Sequence, residues 1–260
     1  MDLNLFLLAL MDGTSYAALL FLVALGLTLI FGVMQIINVA HGSLYAWGGY
    51  FAATLGLAIA NFALPAWLAL PALFVAAIVI GGLLGTVLEF ALLRRILDKD
   101  PILQLLVTFA AFMVLEDLQR LIWGVQPVFV SEVVNQLGTL DVAGVTYTRY
   151  QLLVIPSVAL VAFFGLRWFL GSTATGRQVT AVTHNREVAT AMGVNTHRVT
   201  WLTIALGGVL GALGGALASP TTSFTPGIGA DMMVLSFAVV ATAGLGQIGG
   251  AALAALMIGM

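Results

Sequence analysis

Histidines and acidic side chains are the residues of this chain best suited to chemistry, and they are few and scattered. His41 stands far from His184 and His197 in the sequence, whereas a metal site needs several ligands together. The absence of cysteine excludes disulfides, thiolate metal sites and cysteine nucleophiles. The only lysine, Lys99, is followed by Asp100, so a phosphate-binding GxxxxGK[ST] loop is impossible. We therefore expect no catalytic residue, metal or cofactor in this chain.

The composition is that of a membrane protein. Of the 260 residues, 61% are hydrophobic and 8% are charged, and the mean hydropathy is +1.11. A soluble domain has about 25% charged residues. The net charge of -2 argues against nucleic-acid binding. Because the apolar runs are continuous rather than alternating, we expect helices and not a β-barrel.

The gaps between charges locate the membrane helices. No Asp, Glu, Lys or Arg occurs over residues 13–88, which is room for three spans of about 20 residues. We predict an all-α polytopic membrane protein with about seven or eight transmembrane helices, forming one transmembrane domain over residues 1–260. A last apolar run, 251–260, is too short to span, so we expect the natural protein to continue. The predicted spans are 15–33, 41–60, 66–88, 101–122, 150–170, 198–219 and 231–245.

The basic residues predict the orientation of the helices. Seven of the nine lie near two loops, 94–100 and 171–197, and basic loops stay in the cytoplasm. The intervening loop, about 123–149, is then external, and a small hairpin is plausible at 140–148. The N-terminus is external if the first three segments all span, and internal if 41–60 is re-entrant.

Small residues recur at four-residue spacing. Gly207, Gly211 and Gly215 share one face of the sixth predicted span. Such faces let helix backbones approach closely in lipid. We interpret the stripe as a helix-packing face, and the alternative is that it slides during a transport cycle.

A polar run interrupts the first two apolar segments. Asn38, His41 and Ser43 lie together, Gly42 falls between them, and Gln35 precedes them by about one turn. Polar groups at membrane depth need partners. The run is either an interfacial turn or a helix break beside a pathway, in which Gly42 provides the turn and Asn38 and His41 bond freed backbone groups.

Acidic residues are also found in the fourth predicted span. Glu116 and Arg120 are four residues apart and are expected to pair on one helix face. Asp117 lies between them. The pair is either a structural ion pair at the outer interface or part of the lining of a pathway.

The loop 171–197 is long for a connection between membrane helices. Asn185 is a suitable N-cap for a short helix that starts at Arg186, and Gly193 is a suitable end for it. Apolar and polar positions alternate along this segment. The helix either docks into a groove of a soluble partner or lies on the membrane surface.

Three segments resemble a known family. Glu187, Ala189 and Gly193 are similar to the EAA-xxx-G element of ABC-transporter permeases, although Val188 replaces its first Ala. The run 26–42, GLTLIFGVMQIINVAHG, resembles the opening of LivH-type permeases of branched-chain amino acid ABC importers. The segments 176–203 and 244–251 resemble the same family.

The resemblance implies the permease subunit of an ABC importer in the bacterial inner membrane, without its own ATPase motif. Two cytoplasmic ATPases would bind ATP and contact Arg186, Glu187, Ala189 and Gly193. The implied partners include a LivM-like permease or a second copy, and a periplasmic solute-binding protein. Solute would pass Gln35, Asn38, His41, Gly42 and Ser43. The alternatives are a urea or short-amide permease and an ion-coupled secondary transporter, although the spans offer few buried carboxylates for the latter.

Overall fold

The computed structural model describes residues 3–142, 144–244 and 246–260. Ala143, within the predicted hairpin, and Leu245, at the predicted end of the seventh span, lie outside the described residues. The helices are α1 (Leu3–Met34), α2 (His41–Asn61), α3 (Ala66–Ile96), α4 (Pro101–Trp123), α5 (Glu132–Leu137), α6 (Tyr150–Ser172), α7 (Ala174–His184), α8 (Arg186–Ala191), α9 (Thr196–Ala218), α10 (Ile228–Ala243) and α11 (Ile248–Gly259). Strands β1 (Thr139–Val142) and β2 (Val145–Thr148) form an antiparallel hairpin in which Thr139 pairs with Thr148.

The predicted polytopic helical fold is confirmed. Helices α1, α3, α4, α6 and α9 are long and apolar enough to cross a membrane, and α10 and α11 are shorter apolar helices. Most of the apolar window of α1 is buried, at 83%, whereas only 17% of that of α6 is buried. The structure therefore has α1 and α9 at its centre, and α4 and α6 leave most of their apolar surface exposed.

The polar connections gather at two ends of the helix bundle. The hairpin end carries β1 and β2. There the Tyr147 hydroxyl donates a hydrogen bond to the Asp12 carboxylate near the start of α1. Burial, together with this hydrogen bond, raises the pKa of Tyr147 to about 12. The hydrogen bond ties the hairpin to α1.

The opposite, basic end carries the 94–100 loop and the helices α7 and α8. The last residues of α1 meet these elements, because Met34 and Gln35 line one cavity with Asp98 and His184. The prediction of one short helix in the loop 171–197 was incomplete. The helix that begins at Arg186 is present as α8, and it is preceded by α7, which Thr173 caps by accepting a hydrogen bond from the Gly176 amide at 2.9 Å.

Helix α2 begins half-way between the two ends. The imidazole of His41 contacts Val23, which lies eleven residues after Asp12 and eleven before Met34. The helix then runs to the hairpin end, where the Trp123 indole donates to the Thr54 hydroxyl at 2.7 Å. The start of α1 also lies at the hairpin end of the bundle, because Asp12 accepts a hydrogen bond from Tyr147 of β2 there.

Helix α10 also begins half-way between the two ends, at the same depth as the start of α2. An added Cβ at Gly229, in its first turn, would lie 2.8 Å from the Gly42 carbonyl oxygen of α2. Past the end of α10, a Cβ added at Gly246 would lie 3.6 Å from the Gly32 Cα, near the basic end. Helices α2 and α10 thus start at one depth and run to opposite ends.

Two π-helical turns interrupt α3, at Ala77–Gly81 and Glu89–Leu93. Each such turn accommodates one extra residue and shifts the helix face that follows it, and such turns are frequent at functional sites. The prediction placed the end of this span at residue 88, whereas the helix continues to Ile96.

Close packing around α9 yields a first prediction. A Cβ added at Gly48 in α2 would collide with the Ala212 carbonyl oxygen and lie 2.6 Å from the Ala212 Cα. We expect Gly48→Ala to lower the free energy of unfolding by about 1–3 kcal/mol, measured by thermal unfolding in detergent micelles. The control is Gly165→Ala in α6, where nothing lies within 4 Å. Equal unfolding temperatures for the two variants would contradict the packing account.

Candidate functional site

The connection between α1 and α2 contains the backbone turn of the candidate site. Gln35 adopts a left-handed conformation, with φ of 56°, and its amide donates to the Phe31 carbonyl at 2.7 Å. Gly42, expected to provide the turn, instead lies inside α2. A side chain at Gly42 would collide with the Gly229 carbonyl oxygen of α10. The glycine therefore allows two helices to meet, and the turn is made at Gln35.

The first turn of α2 is stabilised by the connection itself. The amides of His41 and Ser43 donate to the carbonyls of Asn38 and Ala40, each at 3.1 Å. These short-range bonds satisfy amides that the first turn of a helix otherwise leaves free. The backbone can therefore start a helix at mid-depth without water.

His41 lies in a slot between α1 and α9. Its side chain has no exposed surface, and its Nε2 is 3.0 Å from the Val23 carbonyl oxygen. Since a carbonyl only accepts, Nε2 carries the hydrogen and donates. Gly26 and Gly211 form the walls of the slot, because a Cβ at either position would lie 3.0 Å from the imidazole Cε1. His41 thus joins α2 to both central helices.

Within the part of the chain that the structure describes, Asn38 and Ser43 lack hydrogen-bond partners for their side chains, as does the second ring nitrogen of His41, Nδ1. Asn38 and Ser43 are each 1% exposed. The Asn38 side-chain nitrogen and oxygen and the Ser43 hydroxyl have no hydrogen-bond partner among the described residues. Most buried polar groups in proteins are bonded, and the exceptions call for an explanation. The expected bond from the Asn38 side chain to freed backbone is absent among the described residues.

The three glycines of the α9 stripe contact different neighbours. Added Cβ atoms at Gly207 and Gly211 would meet Ile30 of α1 and His41 of α2, and one at Gly215 would collide with the Tyr45 carbonyl oxygen. The stripe therefore packs against both α1 and α2.

Helix α8 is built by local capping. The Asn185 side-chain oxygen accepts from the Val188 amide at 3.0 Å. After the helix, Gly193 has φ of 85°, and the Val194 amide donates back to the Ala189 carbonyl at 3.0 Å. Added atoms at Gly193 would meet nothing within 4 Å, so the left-handed backbone alone requires glycine there.

The exposed side of α8 is partly apolar. Val188 is 53% and Met192 is 80% exposed, whereas Ala189 is buried. Glu187 is exposed and Arg186 is half-buried. The basic end thus presents two apolar side chains beside charged ones.

The acidic residues of α4 form a surface ion-pair cluster. Arg120 donates to Glu116 and, at 3.3 Å, to Asp117. The Arg120 and Asp117 side chains are 48% and 69% exposed, and exposed pairs of this kind contribute little stability. Within residues 3–142, 144–244 and 246–260, no group of three or more His, Cys, Asp or Glu residues lies close enough together to hold a metal ion.

The sequence interpretation missed two features of the site. One is the start of α10, where Gly229 meets Gly42; the sequence Gly227-Ile228-Gly229 before an apolar run was the available signal. The other is the polar cavity of about 340 Å³ at the basic end, which brings Gln35, Asp98 and Arg186 together from distant segments. No local pattern marks such a cavity.

A central helix packed through glycines, with two neighbours that start at mid-depth, forms the core of a polytopic helical membrane protein. Residues 9–260 match the family described as branched-chain amino acid transport system, permease component, and the chain belongs to that family.

Several relatives are similar over most of their length. The high-affinity branched-chain amino acid transport system permease protein LivH of Escherichia coli K12 is 27% identical over 260 residues, covering 98% of this chain and 84% of that protein. The corresponding protein BraD of Pseudomonas aeruginosa is 25% identical, over 95% and 81%. A probable LivH of Methanocaldococcus jannaschii is 28% identical, over 94% and 76%. No solved structure matches the chain.

The slot around His41 yields a second prediction. His41→Leu removes the bond to the Val23 carbonyl and places a branched side chain between two glycines. We expect it to destabilise the protein by about 1–3 kcal/mol and to lower transport. His41→Gln should cost less than half as much, because its amide can still donate. Unfolding temperature and uptake per inserted protein make the comparison, and equal losses for both variants would contradict the bonding role.

Proposed function

We propose that this chain is the membrane-spanning permease of an ABC importer for branched-chain amino acids in a bacterial inner membrane. The match of residues 9–260 to the permease family is the observation that carries the proposal. The names of the relatives, which transport branched-chain amino acids, support the substrate class.

The basic end faces the cytoplasm in this proposal. Seven of the nine basic residues lie at that end, in agreement with the retention of basic loops inside. The hairpin then faces outward, together with the start of α1. A solute-binding protein would deliver its ligand at the hairpin end.

Solute passes beside the mid-depth starts of α2 and α10. The buried, unpartnered atoms of Asn38 and Ser43 support this route, and Gln35, His41 and Gly42 complete its wall. A branched-chain amino acid has an apolar side chain and needs no fixed charge along the path. Its ammonium and carboxylate groups need hydrogen-bonding partners there, because unpaired polar groups are costly away from water.

Helix α8 couples the permease to ATP hydrolysis. The exposed Val188 in this helix and Met192 directly after it are suited to an apolar groove on a soluble ATPase. Two such ATPases would bind ATP, since this chain cannot form the phosphate loop with its single lysine. The second permease of the complex is a LivM-like chain or another copy of this one.

Alternating access needs two packings of similar free energy. Several contacts of α9 with α1, α2 and α3 are made between backbones at glycines, as at Gly26, Gly48 and Gly81. Where backbones meet without a side chain between them, one helix is able to shift against another. Closure of the ATPases, transmitted by α8, would bias this equilibrium.

A test uses this chain reconstituted in liposomes with its co-purified partner permease, ATPases and binding protein. We expect ATP-dependent uptake of leucine. Gly193→Val should lower uptake and stimulated ATP hydrolysis together, because a β-branched residue in a left-handed conformation costs at least about 1–2 kcal/mol. Gly193→Asn is the matched control, since asparagine tolerates this conformation.

The outcomes separate substrate from coupling. Uptake of urea or a short amide without leucine would contradict the substrate class. Normal uptake and hydrolysis by Gly193→Val, in an assembled complex, would contradict the role of α8. Uptake driven by a proton or sodium gradient without ATP would contradict the importer class.

A further inference from the structure

A cavity opens between α3 and α9 near the basic end. The two helices touch through glycines, because an added Cβ at Gly81 would lie 2.5 Å from the Gly208 carbonyl oxygen and one at Gly85 3.0 Å from that of Ile204. One turn further, the Trp201 indole donates to the Thr86 hydroxyl at 3.2 Å. Beyond this bridge the helices separate and enclose about 190 Å³.

Glu89 lines this cavity without a partner. Its side chain is 2% exposed, and its Oε2 atom has no hydrogen-bond partner among the described residues. Among the described residues, the ion pairs are those that Arg120 makes with Glu116 and Asp117, at the hairpin end of the bundle. An unpaired buried carboxylate is costly. The π-helical turn Glu89–Leu93 places it at the cavity wall.

The rim of the cavity is basic. Arg94, His197 and Arg198 line it, and the Arg94 guanidinium carbon lies 6.0 Å above the centre of the Phe90 ring. Arg198 is in the first turn of α9, and its backbone amide donates a hydrogen bond to the Asn195 side-chain oxygen. The rim therefore attracts an anionic group, whereas Glu89 inside attracts a cationic one.

An apolar stripe leads from this cavity along α3. Leu83, Val87 and Phe90 are 57%, 49% and 52% exposed, and their spacing of four and three residues puts them on one helix face. Such a face runs along the acyl chains of a lipid. The cavity lies at its polar end, where a headgroup would sit.

We propose that the cavity binds the headgroup of a zwitterionic phospholipid with a primary ammonium, of the phosphatidylethanolamine class. The ammonium pairs with Glu89, and the phosphate lies between Arg94 and Arg198. The acyl chains follow Leu83, Val87 and Phe90. The bound lipid would fill the gap between α3 and α9 next to α8 without taking part in transport chemistry.

Native mass spectrometry of the full chain tests the proposal. The chain is incubated with equal amounts of phosphatidylethanolamine and phosphatidylglycerol with identical acyl chains. We expect phosphatidylethanolamine to be retained preferentially. Arg94→Gln and Arg198→Gln should each lower its retention about fivefold, and Glu89→Gln should abolish the preference over phosphatidylglycerol. Arg95→Gln, whose exposed side chain does not line the cavity, is the matched control.

Three results would overturn the proposal. Equal retention of the two lipids by the unmodified chain would overturn the pairing with Glu89. An equal loss of lipid retention in Arg95→Gln and Arg94→Gln would show that the lipid is attracted to basic residues in general, and would overturn the proposed site. Displacement of the lipid by equimolar soluble phosphoethanolamine would overturn the role of the acyl chains. If Glu89→Gln fails to fold, the two arginine variants still decide between these outcomes.

Discussion

The close approach of three helices to α9 is the constraint on which the remaining structure depends. Lipid tails are as apolar as the side chains they surround, so helices in a membrane gain little from apolar burial alone. They associate where small residues let backbones touch. Gly48 meets Ala212, Gly81 meets Gly208, and Gly26 lies against Gly207. With α9 held at this distance, the slot that receives His41 exists between α1 and α9.

The half-depth start of α2 follows from that slot. A helix that begins inside a membrane must satisfy its first amides without water, and the carbonyls of Asn38 and Ala40 supply that need. His41 then fixes the start of the helix to α1 by one hydrogen bond to Val23. The first turn of α10 lies at the same depth, where its Gly229 packs against Gly42 of α2. Two helix starts therefore meet at mid-depth, on the proposed solute route, beside side chains that lack partners among the described residues.

Much of this architecture could be predicted from local sequence. Stretches without charged residues predict the apolar helices. The cap of α8 at Asn185 and its end at Gly193 follow from residue types that act within one helical turn. Other features could not be predicted locally. The turn falls at Gln35 rather than Gly42 because the choice depends on the contact of Gly42 with α10, nearly 190 residues later in the chain. The cavity at Glu89 likewise joins residues of α3 and α9 that lie about a hundred residues apart in the chain.

The proposed solute route requires the start of α2, at mid-depth, to be exposed alternately to each side of the membrane. Single cysteines test it, because the chain has none. Thr139→Cys and Ala181→Cys, both at exposed positions, mark the hairpin and basic ends, and Ser43→Cys reports the mid-depth site. In the assembled complex, labelled with an impermeant thiol reagent in vesicles of each orientation, Ser43→Cys should react from the Thr139 side in one nucleotide state and from the Ala181 side in the other. Reaction of Ser43→Cys from one side only, in every nucleotide state, would contradict the account.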